Sequence, residues 1–154
     1  MANFHGSHDL RLDDKCRLSI PSAYRQELET SGDSRLVLAK SLPRDGECLH
    51  AFTQKKWEER IKLITAQKRI PEIRYLVQFQ VASAQQVAPD SAGRIVIPPS
   101  LREHAGLSAS SEVTLTWGWD EQFDIWARDR WAGVAEASRS GVVAADEVLT
   151  DLGL

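Results

Sequence analysis

The sequence predicts an α+β fold, mainly β with short helices, in which one half-motif occurs twice. The first observation is an internal repeat. LRLDDKCRLSIPSAYRQEL begins at Leu10 and VAPDSAGRIVIPPSLREHAGL begins at Val87, with Asp13, Arg17, Ile20, Pro21 and Arg25 matching Asp90, Arg94, Ile97, Pro98 and Arg102 at a constant separation of 77 residues. The second is the strand pattern: short β-branched or alternating apolar runs bounded by turn residues fall at the same place in both copies. The third is composition. A 154-residue chain with 42% hydrophobic and 27% charged residues is neither disordered nor fibrous and buries an ordinary core.

Each copy reads as strand, tight turn, strand, short helix, two further strands and a longer helix. Arg17-Leu18-Ser19-Ile20 alternates, so Leu18 and Ile20 face a core, while Arg94-Ile95-Val96-Ile97 lies between the turn Asp90-Ser91-Ala92-Gly93 and the stop Pro98-Pro99. Both segments read as the second arm of a hairpin. Ser22 and Ser100 are expected as helix N-caps, with Tyr24 and Leu28, or Leu101 and Ala105, on the inner side of the helices that follow. Leu36–Leu38 and Val113–Leu115 read as third strands, Cys48–Phe52 and Gln122–Trp126 as fourth strands, and helices then begin near Thr53 and Ala127. The spacing drops to 74 between Phe52 and Trp126, which places a length difference in the connection holding Pro43, Arg44, Asp45 and Gly46.

Between the copies, Gln54–Gln67 fits an amphipathic helix carrying Trp57, Ile61 and Ile64, and Pro71 opens a second helix with Ile73, Leu76, Val77 and Val81. The expected boundaries are residues 8–55 for the first motif, 56–83 for a helical connection, 84–128 for the second motif and 129–154 for a C-terminal helix and acidic tail. From Ser138 the chain is small and acidic with Val142, Val143, Val148 and Leu149 as its sticky positions, which fits either disorder or docking on a neighbour.

The net charge of −3 argues against a generally basic nucleic-acid binder, but its distribution matters more. Beyond Ala132, Arg139 faces Glu136, Asp146, Glu147 and Asp151, so the body of the protein is formally neutral and free to carry a basic face. The stretch Gln54–Tyr75 is positive, as a solvated helix face often is. No apolar run approaches the length of a bilayer span and the N-terminus lacks a secretory apolar segment, which predicts a cytoplasmic protein. Cys16 and Cys48 form no short-spaced pair and read as buried or incidental thiols.

An Asp and an Arg four residues apart across a tight turn lie near each other. The carboxylate accepts turn amides and holds the guanidinium, whose planar fork suits phosphate or a guanine edge. LDDKCRLSIP and PDSAGRIVIPP resemble the paired signature of the MraZ family, over about Phe4–Ala132. The resemblance implies a duplicated swapped-hairpin (SpoVT/AbrB-like) barrel with additional helices. It also implies a nucleoid-associated transcriptional repressor of the division and cell-wall gene cluster, including its own promoter. Its partners would be double-stranded promoter DNA carrying direct repeats of a short site and further copies of itself in a ring-like homo-oligomer. The implied DNA-binding residues are Arg11, Asp13, Lys15, Arg17 and Arg25 in the first copy and Asp90, Arg94 and Arg102 in the second. Arg17 has Arg11 and Lys15 near it where Arg94 has Ala88 and Ala92, so the first turn is expected to dominate.

Cys16 stands where the second copy has Gly93 and where the family usually has glycine. A turn of this length commonly ends at positive φ, so Cys16 either bears strain of about 1 kcal/mol or shapes a different turn. Were it exposed beside Lys15 and Arg17, its thiolate would be stabilised for redox sensing. No catalytic constellation is expected, because His5, His8, His50 and His104 are scattered without a matched carboxylate or a Gly-rich loop, and neither a cofactor nor a metal is predicted. An antitoxin-like or structural protein-interaction module is the alternative.

Overall fold

Each Asp-x-x-x-Arg turn closes tightly and then parts its flanking strands. In the computed structural model, which describes residues 2–154, β1 (Ser7–Arg11) leads into the first turn and β2 (Arg17–Ser19) leaves it, yet the two strands do not pair. The same holds for β5 (Gln85–Val87) and β6 (Arg94–Val96). The hairpin expected from the local pattern is therefore opened, and its arms find partners in the other copy. β2 pairs with β6, with Leu18 opposite Ile95. β1 pairs with β7 (Glu112–Trp117), and β5 pairs with β3 (Leu36–Lys40). With β4 (Leu49–Thr53) and β8 (Gln122–Ala127), these strands form a six-stranded antiparallel sheet in the order β1-β7-β8-β4-β3-β5.

Exchanging equivalent strands reads that order backwards, so the two copies are related by an approximate twofold axis. The registers locate it. Leu18 pairs with its own repeat mate Ile95 on the two-stranded ribbon, and His50 pairs with its mate Asp124 in the large sheet. The fold is α+β, and each half is completed by strands of the other.

Six helices punctuate the strands: α1 (Ser22–Ser31), α2 (Gln54–Thr65), α3 (Pro71–Leu76), α4 (Pro99–Ala105), α5 (Arg128–Ala144) and α6 (Asp146–Asp151). Tyr24 and Leu28 of α1 and Leu101 and Ala105 of α4 are buried as expected, but Ser22 and Ser100 are not caps. Pro21 and Pro98, extended at φ −54° and −61°, occupy the cap positions, so each helix starts earlier than the serines suggested. Thr53 does cap α2, its hydroxyl accepting from Lys56 N at 3.2 Å. α3 runs on into a π turn at Val77–Val81, and a short 3₁₀ turn at Pro43–Asp45 holds the extra residues of the first copy. The residues from Ser138 are helical through the end of α5 and again in α6; they leave Val142, Val143 and Val148 exposed.

One core is filled from both copies. Leu18, Ile20, Ile95 and Ile97 from the ribbon meet Leu36, Leu38, Leu49, Val113, Leu115 and Ile125 from the sheet, all 2% exposed or less. Each such side chain contributes roughly 1.5–3 kcal/mol by leaving water. Phe4 plugs one end, edge-on to Tyr24 and Phe123 with ring centres 5.0 and 5.2 Å away. No helix is long and apolar enough among the described residues to cross a membrane.

Candidate nucleic-acid interface

The two turns have the same hydrogen-bond network. In the first, Asp13 Oδ1 accepts Lys15 N at 2.9 Å and Arg17 N at 2.8 Å, while Oδ2 accepts Arg17 Nε at 2.5 Å. In the second, Asp90 Oδ1 accepts Ala92 N and Arg94 N, both at 2.9 Å, and Oδ2 accepts Arg94 Nε at 3.0 Å. Backbone bonds between Asp13 and Arg17, and between Asp90 and Arg94, close each loop. Three donors on one carboxylate favour its charged form. Asp13 and Asp90 are accordingly held below the ordinary aspartate range, first by the backbone amide of Arg17 or Arg94. Nε is consumed in each arginine, which leaves the Nη edge of the guanidinium for an outside acceptor.

Both arginines belong to the β2–β6 ribbon. Leu18 and Ile95 point into the core, so Arg17, Ser19, Arg94 and Val96 share the outer face. Arg17 stands opposite Val96 and Arg94 opposite Ser19, which sets the two arginines on a diagonal roughly 8 Å apart at Cα by strand spacing. Their side chains are 25% and 34% exposed, half-sunk and held rather than waving in solvent. Ser19 and Val96 were not among the expected site residues, although alternation from Leu18 already turns them outward. Val96 is 54% exposed, an unusual place for valine unless something apolar meets it.

Arg25 and Arg102 lie across the axis from their own turns. Arg25 of the first copy packs on the second turn, so closely that a Cβ at Gly93 would stand 2.7 Å from its Cδ. Arg102 of the second copy packs on the first turn, where its Nη1 lies 2.7 Å from Cys16 Sγ. The Nε of each is buried without a hydrogen-bond partner among the described residues. These arginines brace the turns that carry Arg94 and Arg17. Lys15 is exposed at the first tip. Arg11 is differently placed. It donates to the Ser110 carbonyl at 2.9 Å and to Glu112 at 2.8 Å, which ties it to the β1–β7 pair while its side chain stays 61% exposed.

Cys16 has φ +57° and Gly93 has φ +76°, so the two turns share one shape and the strain expected at Cys16 is present. The exposed, redox-sensing thiolate is overturned: Cys16 is 2% exposed and belongs to the core. Cys48 is buried too. His5 and His8 pack edge-on to Trp117 and Tyr24.

Two strands of opposite direction, swapped between duplicated halves and ending in arginine-bearing turns, define a duplicated swapped-hairpin protein of the AbrB-like class. Comparison with known proteins narrows the class. Residues 81–152 match the family described as "MraZ protein, putative antitoxin-like". The chain is 38% identical to the "Transcriptional regulator MraZ" of Nitrosomonas europaea over 129 residues, 83% of each chain. It is 35% identical to that of Thioalkalivibrio sulfidiphilus, covering 83% of this chain and 82% of the other, and 31% identical to that of Coxiella burnetii, covering 86% and 85%. The chain belongs to the MraZ family. These relatives are named as transcriptional regulators and not as enzymes.

Proposed function

We propose that this protein binds double-stranded DNA through the outer face of the β2–β6 ribbon and its two turns, as a sequence-specific transcriptional regulator. One observation carries the reading: two identical Asp–Arg networks offer two oriented guanidinium edges on a single two-stranded ribbon. A ribbon of that width enters a major groove, where an arginine fork suits O6 and N7 of guanine or two phosphate oxygens. Arg17, Arg94 and Lys15 make the contacts, Asp13 and Asp90 hold the forks, and Arg25 and Arg102 brace the turns with donors left for flanking phosphates. Arg11 is left outside this set by its pairing with Glu112.

Family membership supports repression of the division and cell-wall gene cluster, with the protein's own promoter among its targets, in the cytoplasm at the nucleoid. Two tips are few contacts for tight binding at physiological salt. Copies of the chain arranged as a ring engage successive short repeats, and each further engagement is effectively intramolecular. Trp57 and Trp131 are half-buried and pack within the chain on Phe52 and Trp126. The exposed Leu63, Ile70, Tyr75, Val77 and Phe79, with Val142, Val143 and Val148, are among the apolar surfaces free for it.

The test is anisotropy with DNA from the gene's own upstream region across a salt series. Arg17→Ala and Arg94→Ala each weaken binding, and each flattens the slope of log K against log salt by about one unit. Arg17→Ala has the larger effect, now on the strength of Lys15 alone. DNA with several repeats binds far more tightly than DNA with one. Unchanged affinity and slope in both variants would refute the interface. A protein that sediments as a monomer and binds single and multiple repeats equally would refute the ring.

A further inference from the structure

The middle of the six-stranded sheet holds a cluster that DNA binding leaves unused. His50 of β4 lies directly opposite Asp124 of β8, and Cys48 precedes His50 by two residues, so the three side chains leave one face of the sheet. The Cys48 sulfur, a ring nitrogen of His50 and a carboxylate oxygen of Asp124 all lie within 4.8 Å of one another. Cys48 is completely buried, and the side chains of His50 and Asp124 are 8% and 13% exposed. We propose that Cys48, His50 and Asp124 bind a divalent transition ion of the zinc class, with the fourth coordination position turned toward solvent.

The donor set selects the ion. One thiolate, one imidazole and one carboxylate form the borderline-soft mixture that suits zinc, whereas magnesium and calcium demand oxygen throughout. Two donors on a tetrahedral zinc stand roughly 3.3–3.5 Å apart, given bonds of about 2.0–2.3 Å, so the cluster closes by small side-chain rotations. His50 Nδ1 and Asp124 Oδ1 are 2.6 Å apart, so these two donor atoms already converge. On binding, the Cys48 thiol proton is released to solvent and the imidazole carries its proton on Nε2. That nitrogen faces Asp45 Oδ2 at 3.7 Å, a carboxylate placed to orient the ring.

The surroundings fit. Gln122 Nε2 donates to Asp124 Oδ1 at 2.9 Å, and the Ser41 hydroxyl accepts the Cys48 amide at 3.0 Å. A cavity of about 500 Å³ reaches His50, Asp124, Asp45 and Gln122, which provides an entry path and room for a water ligand. Cys48 and His50 come from the first copy and Asp124 from the second, at the point where the approximate twofold axis crosses the sheet. The ion pins the two halves together there.

The full-length protein, stripped with a chelator, is titrated with Co(II) and then Zn(II). The expected result is one ion per chain, a thiolate-to-cobalt charge-transfer band, and the intense visible absorption of four-coordinate cobalt. Zinc bleaches both and raises Tm. The chain has two cysteines, so Cys16→Ser retains the band if Cys48 is the ligand, while Cys48→Ser loses it. Asp124→Asn weakens binding by about tenfold or more. A wild-type protein without the charge-transfer band overturns the proposal, whether or not any variant folds. So does a band that disappears in Cys16→Ser, or one that survives in Cys48→Ser.

Discussion

Replacing Gly93 by alanine separates the strain of the turn from the packing above it. At φ +76° an L-residue pays about 1–2 kcal/mol for the left-handed conformation. Alanine recovers roughly 0.4–1 kcal/mol of that by restricting the unfolded chain. The new Cβ would stand 2.7 Å from Cδ and 2.8 Å from Nη1 of Arg25, so the arginine must swing off the turn. A flexible side chain does so for about 0.5–1.5 kcal/mol. The sum is a loss of roughly 0.5–3 kcal/mol, and at about 2–4 °C per kcal/mol for a domain of this size Tm falls by roughly 1–12 °C. Calorimetry of the two single variants and of Gly93→Ala/Arg25→Ala forms a double-mutant cycle, in which the steric share vanishes and the backbone share remains. An unchanged or raised Tm in Gly93→Ala, or strict additivity in the cycle, would show that the turn and Arg25 are not arranged as described.

The reciprocal change, Cys16→Gly, is close to neutral. It relieves about 1 kcal/mol of left-handed strain but removes a buried side chain of similar worth, so Tm stays within about 4 °C of wild type; a larger fall would mean that Cys16 packing outweighs the strain. Asp13→Ala frees Arg17 and strips two amides of their acceptor; it lowers both Tm and DNA affinity, with Asp13→Asn intermediate because its carbonyl oxygen still accepts. The depressed Asp13 and Asp90 carboxyls make a contribution that is present above about pH 3.8 and lost as pH falls through their folded values. Arg17–DNA affinity from pH 8 to 5 therefore shows no titration from the turns, and a break within that window would contradict the network. Val143, 73% exposed on α5, is replaced by glutamate with a Tm change no larger than expected of a surface site, yet with a smaller sedimenting species; an unchanged oligomer would remove α5 from the assembly surface.

The order of strands and helices is legible because each is written in local periodicity: Leu18 and Ile20 alternate, and Tyr24 and Leu28 are one helical turn apart. The partner of each strand is not written locally. A tight turn between β1 and β2 reads as a hairpin, and only the packing of Leu18 against Ile95 rewards parting its arms. For the same reason the Asp–Arg turns were visible and the fate of Arg11 was not, since its pairing with Glu112 depends on the β1–β7 register. Ser22 and Ser100 carry the residue type of a cap, but the prolines before them already hold the extended conformation of the cap position. The His50–Asp124 pair is not legible locally because 74 residues separate its members, although that is the repeat spacing itself.

When two identical chains build a swapped hairpin around a true axis, both tips are the same and the surface matches a palindrome. Here the halves are fused, and their tips have diverged to Asp14-Lys15-Cys16 on one side and Ser91-Ala92-Gly93 on the other. On the proposed reading, such a surface gives the bound DNA a polarity. Turned end for end, it sets the charged tip over the bases meant for the neutral one. A site for this chain is then a word with a direction, and successive words written the same way along one strand keep every subunit facing alike. Head-to-tail contacts that close into a ring impose that same single sense of travel. On that reading, divergence of the tips fits the direct repeats that the family resemblance implies.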